Sequence, residues 1–521
     1  MKAKWKSRFI CLTLTAVTSV GMVAQNAPLF QFSERPGPHA VGLKVVEQYD
    51  LSRTYRKQTD DLGKPYVGER ARPLQTLIWY PADRSSAGPM TYGDYARLFA
   101  TETSFGNPPP VGFDEAIKTI SLAPTAPLWA VRDAQEKSGH FPIVIYAPSF
   151  GNVAWENADL CEYLASYGYV VLASPDMGAT TREMTSDVSG ANAQARDISF
   201  LIGYAQTLSD TDMSEIAVAG YSWGGLSNLF AAARDNRIDA LVALDGSMRY
   251  WPGLVEQAGD VHPDQMALPM LFFTENEITL EEAAADFAGK NMIGPSVLNA
   301  WTHGDLITVH MLGMTHQEFC AKGQRVEDVW RASHEAPKSD YTREDAIAGY
   351  GWVAQYTLQF LNAYLKHDTA AMEFLKNTPA ENGPPKHFMS VSYRAAKGVP
   401  GTLDAFRAEL GRQGFDHAAE VYAATQKDNR GFKLEEADVN AWAHRLMSND
   451  HLPEAIALFK LNVQDFPDSA DAYDSMGDAY MKSGQKQLAI DCYTTSLQKN
   501  PDNENAKQKL KELQNPKPNA K

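Results

Sequence analysis

Cysteine is scarce in this chain, with four in 521 residues: Cys11, Cys161, Cys320 and Cys492. Four cysteines cannot form the disulfide framework of a small secreted scaffold, and no two of them have the C-x-x-C spacing of a zinc or redox site. Long apolar runs are equally rare. The one candidate, over 9–24, is interrupted by Thr and Ser and falls short of the roughly 20 apolar residues that a spanning helix needs. Basic excess is absent too: 48 Lys and Arg stand against 64 Asp and Glu, a net charge of −16. A chain so charged repels phosphate backbones and anionic lipid, which argues against a nucleic-acid partner. H-E-x-x-H, a P-loop and a dinucleotide fingerprint are all missing, so neither a metal nor an organic cofactor is expected. What is present is ordinary globular usage, 44% apolar and 21% charged, at a length that leaves room for two or three domains.

The lone apolar run has a distinctive setting. The basic stretch MKAKWKSR precedes it, and QNAP follows. This is the pattern of a secretory signal peptide over 1–24, cut after Ala24 or Ala27, with an uncleaved anchor as the alternative. Cleavage removes four basic residues (Lys2, Lys4, Lys6, Arg8), so the net charge falls from −16 to −20. A secreted or periplasmic protein without stable membrane insertion is expected. The remaining cysteines read as three buried small hydrophobes, or as one Cys161–Cys320 bridge beside a free Cys492.

Over 41–365, short β-rich runs alternate with amphipathic helical stretches. FPIVIYAPS, YVVLASPD, IAVAGYS, IDALVALDG, PMLFFTEN and DLITVHMLG are apolar on both faces, as in strands covered by helices on each side. Helices are predicted over 156–167, 191–208, 225–234 and 280–287. The alternation argues for a mostly parallel α/β sheet, with GLKVVEQYD and LQTLIWYP as antiparallel edge strands. A Pro- and Gly-rich insert over 83–139, with helical pieces TYGDYARLFA and DEAIKTI, reads as a possible lid, and 177–190 as a polar loop.

After about residue 400 strand-like runs give way to a repeat. Pro467 and Pro501 stand 34 residues apart, bracketing DSADAYDSMGDAYMKSGQKQLAIDCYTTSLQ, the period and pattern of a tetratricopeptide helix pair. A preceding copy starts near Asn440, with Ala455, Ile456 and Phe459 one period before Ala489, Ile490 and Tyr493. The predicted organisation is a signal peptide (1–24), an α/β domain (25–395), a helical linker (396–436), and repeats with a capping helix (437–515).

The sharpest local feature of the α/β domain is Gly220-Tyr221-Ser222-Trp223-Gly224-Gly225. The apolar strand IAVA runs into it and a small-residue helix follows, the context of a nucleophile elbow. The glycines allow the tight turn, and the helix N-terminus supplies amides for a developing oxyanion. A serine hydroxyl needs a histidine to take its proton and an acid to orient that histidine. In this fold they follow in the order Ser, acid, His, each past a strand end. His316 lies just after the last predicted strand, whereas His303 precedes that strand and His310 lies within it. Asp245 ends one strand after the elbow; Glu275 and Glu277 end two strands after. Both placements serve as the acid in such folds.

RPLQTLIWYPA, IVIYAPSFGN, CEYLASYGYVVLASPD, GYSWGG, ALDGSMRYWPG, LPMLFFTENE and GMTHQEF follow in this order. The series resembles the α/β-hydrolases related to platelet-activating-factor acetylhydrolase and dienelactone hydrolase, over about 41–360. The resemblance implies that Asp245, ahead of Tyr250-Trp251-Pro252, is the acid. It also implies an oxyanion hole in the loop after IVIYAPS, where His-Gly-x-Gly is usual and this chain has Pro148-Ser149-Phe150-Gly151. The backbone amides of Phe150 and Trp223 would form the hole, with Ser149, Asn152 and Trp155 lining the pocket or, for Trp155, packing.

The function expected is cleavage of carboxylic esters of small molecules by Ser222, His316 and Asp245 through an acyl-enzyme. An amidase or peptidase would use the same triad. A non-catalytic scaffold would act instead through its repeats, which offer a surface for a protein or peptide partner or for self-association.

Overall fold

The computed structural model describes residues 30–60, 62–105, 126–275, 297–325, 341–429 and 431–514. The leader, Cys11, the predicted helices over 114–120 and 280–287, and Glu277 lie outside them.

Ten strands form one sheet in the order β10-β9-β8-β7-β6-β4-β5-β2-β1-β3. They are β1 (Ala40–Thr54), β2 (Ala71–Ala82), β3 (Val131–Arg132), β4 (Phe141–Ala147), β5 (Val170–Ala173), β6 (Thr211–Tyr221), β7 (Ala240–Leu244), β8 (Met270–Thr274), β9 (Leu306–Met311) and β10 (Met389–Arg394). From β5 through β4, β6, β7 and β8 to β9 every pairing is parallel. β2 joins antiparallel to β5, β1 antiparallel to β2, and β10 antiparallel to β9. All six fully apolar runs fall on the parallel strands. The two earlier runs form the antiparallel pair β1 and β2. Of the two, β2 is buried along its whole length, because β5 flanks it on one side and β1 on the other.

Alternate residues of each strand point to opposite faces, and both faces are covered. Val144, Val171, Ala217 and Ala219 share one core with α1 (Ala158–Ser166) and α4 (Arg343–Leu365). Ile143, Ile145, Ile216 and Val218 share the other with α2 (Val188–Ala205) and α3 (Trp223–Ala232). This is why the strands read as continuous apolar runs rather than alternating ones. In the insert, TYGDYARLFA forms a helix over Tyr92–Arg97 and a 3-10 turn over Leu98–Thr101, while 177–187 carries no helix or strand. Cys161, Cys320 and Cys492 are free thiols, all buried.

The C-terminal helices are α5 (Leu403–Gln413), α6 (Ala418–Asp428), α7 (Glu436–Ser448), α8 (Leu452–Asp465), α9 (Ala470–Lys482), α10 (Lys486–Lys499) and α11 (Glu504–Gln514). Ala455 and Phe459 on α8, and Ala489 and Tyr493 on α10, are fully buried at equivalent positions one period apart. Gly477 is small for a reason: a Cβ there would come within 2.7 Å of the Tyr493 ring, so the helices cross at close range. The segment expected as a linker, 396–436, is helical, and its Phe406, Leu410, Val421 and Tyr422 share one core with Val439 and Trp442 of α7. That core is separate from the two that cover the sheet. Among the described residues no helix is long and apolar enough to cross a membrane.

Candidate active site

Ser222 occupies the turn between β6 and α3 with φ 53° and ψ −114°, a backbone region that costs a non-glycine residue about 1–3 kcal/mol. The turn is this tight because three glycines let backbones touch. A Cβ on Gly220 would lie 2.5 Å from the Gly224 carbonyl carbon. One on Gly224 would lie 2.0 Å from the Ala147 oxygen, and one on Gly225 2.6 Å from the Gly246 Cα. The elbow is thereby pressed against the ends of β4 and β7, the strands whose following loops carry Phe150 and Asp245.

His316 stands in the loop after β9, at the start of a 3-10 turn over His316–Phe319. Thr315 and Glu318 cap this turn reciprocally, with Thr315 N–H donating to Glu318 Oε2 at 2.6 Å. Tyr221 O–H holds the His316 carbonyl at 2.8 Å, and Glu275 Oε2 accepts the His316 backbone N–H at 2.8 Å. Held so, the imidazole spans the site. Its Nε2 is 2.9 Å from Ser222 Oγ, and its Nδ1 is 2.5 Å from Asp245 Oδ2. His303 and His310 do not take this place.

Asp245 follows β7 with φ 44° and is fully buried. Burial alone would push its carboxyl up. The Arg249 charge and the hydrogen bonds from His316 and Tyr250 outweigh that and hold it below the ordinary value. The opposite balance holds at Glu275, which burial and then the Asp245 charge raise. Burial pulls the His316 imidazole down, but its bond to Asp245 and the charges of Asp245 and Glu275 prevail, so its pKa lies above the usual 6.5. The geometry therefore puts Asp245, not Glu275, on the imidazole.

The Phe150 ring meets the Trp223 ring edge to face, centroids 5.4 Å apart, which places the loop after β4 beside the start of α3. Neither backbone N–H donates to a described residue. The three residues expected in the pocket are turned inward. Ser149 Oγ donates to Glu156 Oε1 at 2.5 Å, and Asn152 Nδ2 to Ser149 Oγ at 3.1 Å. Trp155 is buried edge-on against Tyr92.

Sequence reasoning missed several neighbours. Ser247 Oγ lies 3.3 Å from Ser222 Oγ, and its N–H donates to the Ser222 carbonyl at 2.7 Å. Tyr250 O–H reaches both Glu275 Oε1 (2.8 Å) and Asp245 Oδ2 (3.1 Å), and Arg249 Nη2 donates to Tyr250 Oη at 2.8 Å. All three lie in DGSMRYWP directly after the acid, so proximity along the chain was the signal available. Among the described residues no group of three His, Cys, Asp or Glu is placed to hold a metal ion.

A mostly parallel sheet with a serine elbow after β6, an acid after β7 and a histidine after β9, followed by helical repeats, is the architecture of an α/β-hydrolase fold with a C-terminal tetratricopeptide repeat. Comparison with known proteins agrees: residues 130–274 match the Dienelactone hydrolase family and residues 470–503 the Tetratricopeptide repeat. No curated protein matches the chain. Among solved structures, a ferulic acid esterase from Streptomyces cinnamoneus is similar over 70% of this chain and 98% of its own, with 19% identity and a TM-score of 0.49.

Proposed function

We propose that this protein is a serine hydrolase of carboxylic esters, working through an acyl-enzyme on Ser222. The observation that carries the reading is the unbroken chain from Ser222 Oγ through both nitrogens of His316 to the buried Asp245. Ser222 Oγ attacks the ester carbonyl while His316 Nε2 takes its proton, and Asp245 fixes the tautomer and stabilises the imidazolium. The tetrahedral oxyanion is met by the amides of Phe150 and Trp223, the latter at the positive end of α3. His316 then protonates the departing alcohol, and water, activated by the same nitrogen, releases the acid. Ser247 Oγ, 3.3 Å from Ser222 Oγ, is a second hydrogen-bond partner for the nucleophile.

The reading includes export, supported by the n-region, h-region and small-residue pattern of 1–24. It includes a protein or peptide docking role, or self-association, for the repeats, supported by their separate core. The test is a panel of p-nitrophenyl esters and matched anilides with wild type and Ser222→Ala. The proposal expects ester turnover, slower anilide turnover, and loss of both in the variant. Turnover that survives the substitution overturns it.

A further inference from the structure

The loop after β4 lacks the His-Gly-x-Gly that usually shapes an oxyanion hole, so something else must fix it. Two buried carboxylates meet its backbone on either side of Phe150. Glu156, 1% exposed, accepts the Ser149 N–H on Oε2 at 2.7 Å and the Ser149 hydroxyl on Oε1 at 2.5 Å. Asp176, fully buried, accepts the Gly151 N–H on Oδ2 at 2.7 Å. The amide between them, that of Phe150, has no acceptor among the described residues.

The carbonyls of the same loop are held as well. Arg182 Nη1 donates to the Gly151 carbonyl (3.1 Å) and to the Asp176 carbonyl (2.8 Å), and its Nε to Glu102 Oε2 (3.0 Å). Lys322, just past the His316 turn, donates from Nζ to Asn152 Oδ1 at 2.6 Å and from its backbone N–H to the Glu156 carbonyl at 3.1 Å. The loop is thus tied to the elements that flank it, including the one that carries the base.

Burying two carboxylates is costly unless each is hydrogen-bonded to a purpose. Here the two are used on alternate amides of one turn, those of Ser149 and Gly151, on either side of the Phe150 N–H. We propose that Glu156 and Asp176 are positioning residues of the oxyanion hole, clamping the amides of Ser149 and Gly151 so that the Phe150 N–H is presented to the developing oxyanion. The proposal rests on the serine ester hydrolase reading and deepens it. It explains how a chain without the usual glycine-rich motif keeps a donor in place. A donor displaced by about 1 Å forfeits on the order of a hundredfold in rate, comparable with removing an oxyanion-hole donor.

The test compares Glu156→Ala and Asp176→Ala with Glu156→Gln and Asp176→Asn, which keep an acceptor oxygen. Each is assayed on a p-nitrophenyl ester and for inhibition by an aryl trifluoromethyl ketone, whose adduct carries the oxyanion. The alanine variants are expected to lose about a hundredfold in kcat and in ketone affinity, with KM changed by less than about threefold. The amide variants are expected to recover most of the loss. Where an alanine variant fails to fold, Glu156→Asp carries the test: it keeps the charge but withdraws it by one methylene, and the same kcat-selective loss is expected. Wild-type turnover that Ser222→Ala abolishes fixes the underlying reading first. With that in hand, a folded alanine variant of unchanged kcat and ketone affinity overturns the clamp alone. Wild type without Ser222-dependent turnover overturns both.

Discussion

Glu275 accepts the backbone N–H of His316 at 2.8 Å and does not touch its ring, while Asp245 holds the ring Nδ1 at 2.5 Å. Two carboxylates therefore divide one histidine between them. Asp245→Asn should present the wrong partner to Nδ1 and lower kcat by about 10³–10⁴-fold. Glu275→Gln retains an oxygen for the backbone N–H and should cost no more than about tenfold. Steady-state kinetics on a p-nitrophenyl ester separates the two roles.

The pH dependence of activity follows from the same pair. His316 must be neutral to accept the Ser222 proton, and its pKa lies above 6.5. kcat/KM should therefore rise with pH through an inflection above 6.5 and level off beyond it. Glu275→Gln removes one of the charges that raise the imidazole, so the inflection should move down.

Stability should run the opposite way. A histidine whose folded-state pKa exceeds its unfolded value adds stability that is fully present below the unfolded pKa and is lost as pH rises through the folded one. Urea midpoints should fall over the window in which activity climbs, starting near pH 6.5. His316→Ala should flatten that part of the profile.

The strained Ser222 backbone, φ 53° and ψ −114°, predicts a trade between activity and stability. Ser222→Ala keeps the Cβ and the strain. Ser222→Gly relieves about 1–3 kcal/mol of it and returns part through the greater freedom of the unfolded chain. The glycine variant should be more stable than the alanine one by about 1 kcal/mol in urea unfolding, with both inactive.

Most of the sheet was legible because its helix-covered strands are apolar on both faces, and the elbow because its glycines answer backbone contacts that a Cβ would break. β10 was not. Met389–Arg394 alternates Ser with Val and Tyr on an exposed edge, a weaker signal than a buried run. The inward turn of Ser149 and Asn152 was hidden for another reason. Their partner Glu156 lies only four to seven residues on, but a seven-residue spacing across a turn carries no periodic signature. The residues by themselves left Asp245 and Glu275 open, since both end adjacent parallel strands; the family resemblance pointed to Asp245, and the placement of His316 gives the geometric reason.

The separate core of the repeats gives a construction test. A chain ending at 400 keeps β10 on the edge of β9 and the Lys397 N–H bond to the Thr302 carbonyl, so it should fold and keep its turnover within about twofold. One ending at 385 strips β10 from β9, leaves that edge unpaired, and should aggregate or lose activity. Circular dichroism melts and ester kinetics on both fragments decide it.

The most direct measurement is intact-mass analysis of the full chain after treatment with a fluorophosphonate, beside Ser222→Ala. One adduct that maps to Ser222, is absent from the variant, and forms more slowly as pH falls through the His316 pKa is the predicted result. A folded wild type that takes no adduct, or an adduct that persists in Ser222→Ala, would contradict the assignment of Ser222 as the activated nucleophile.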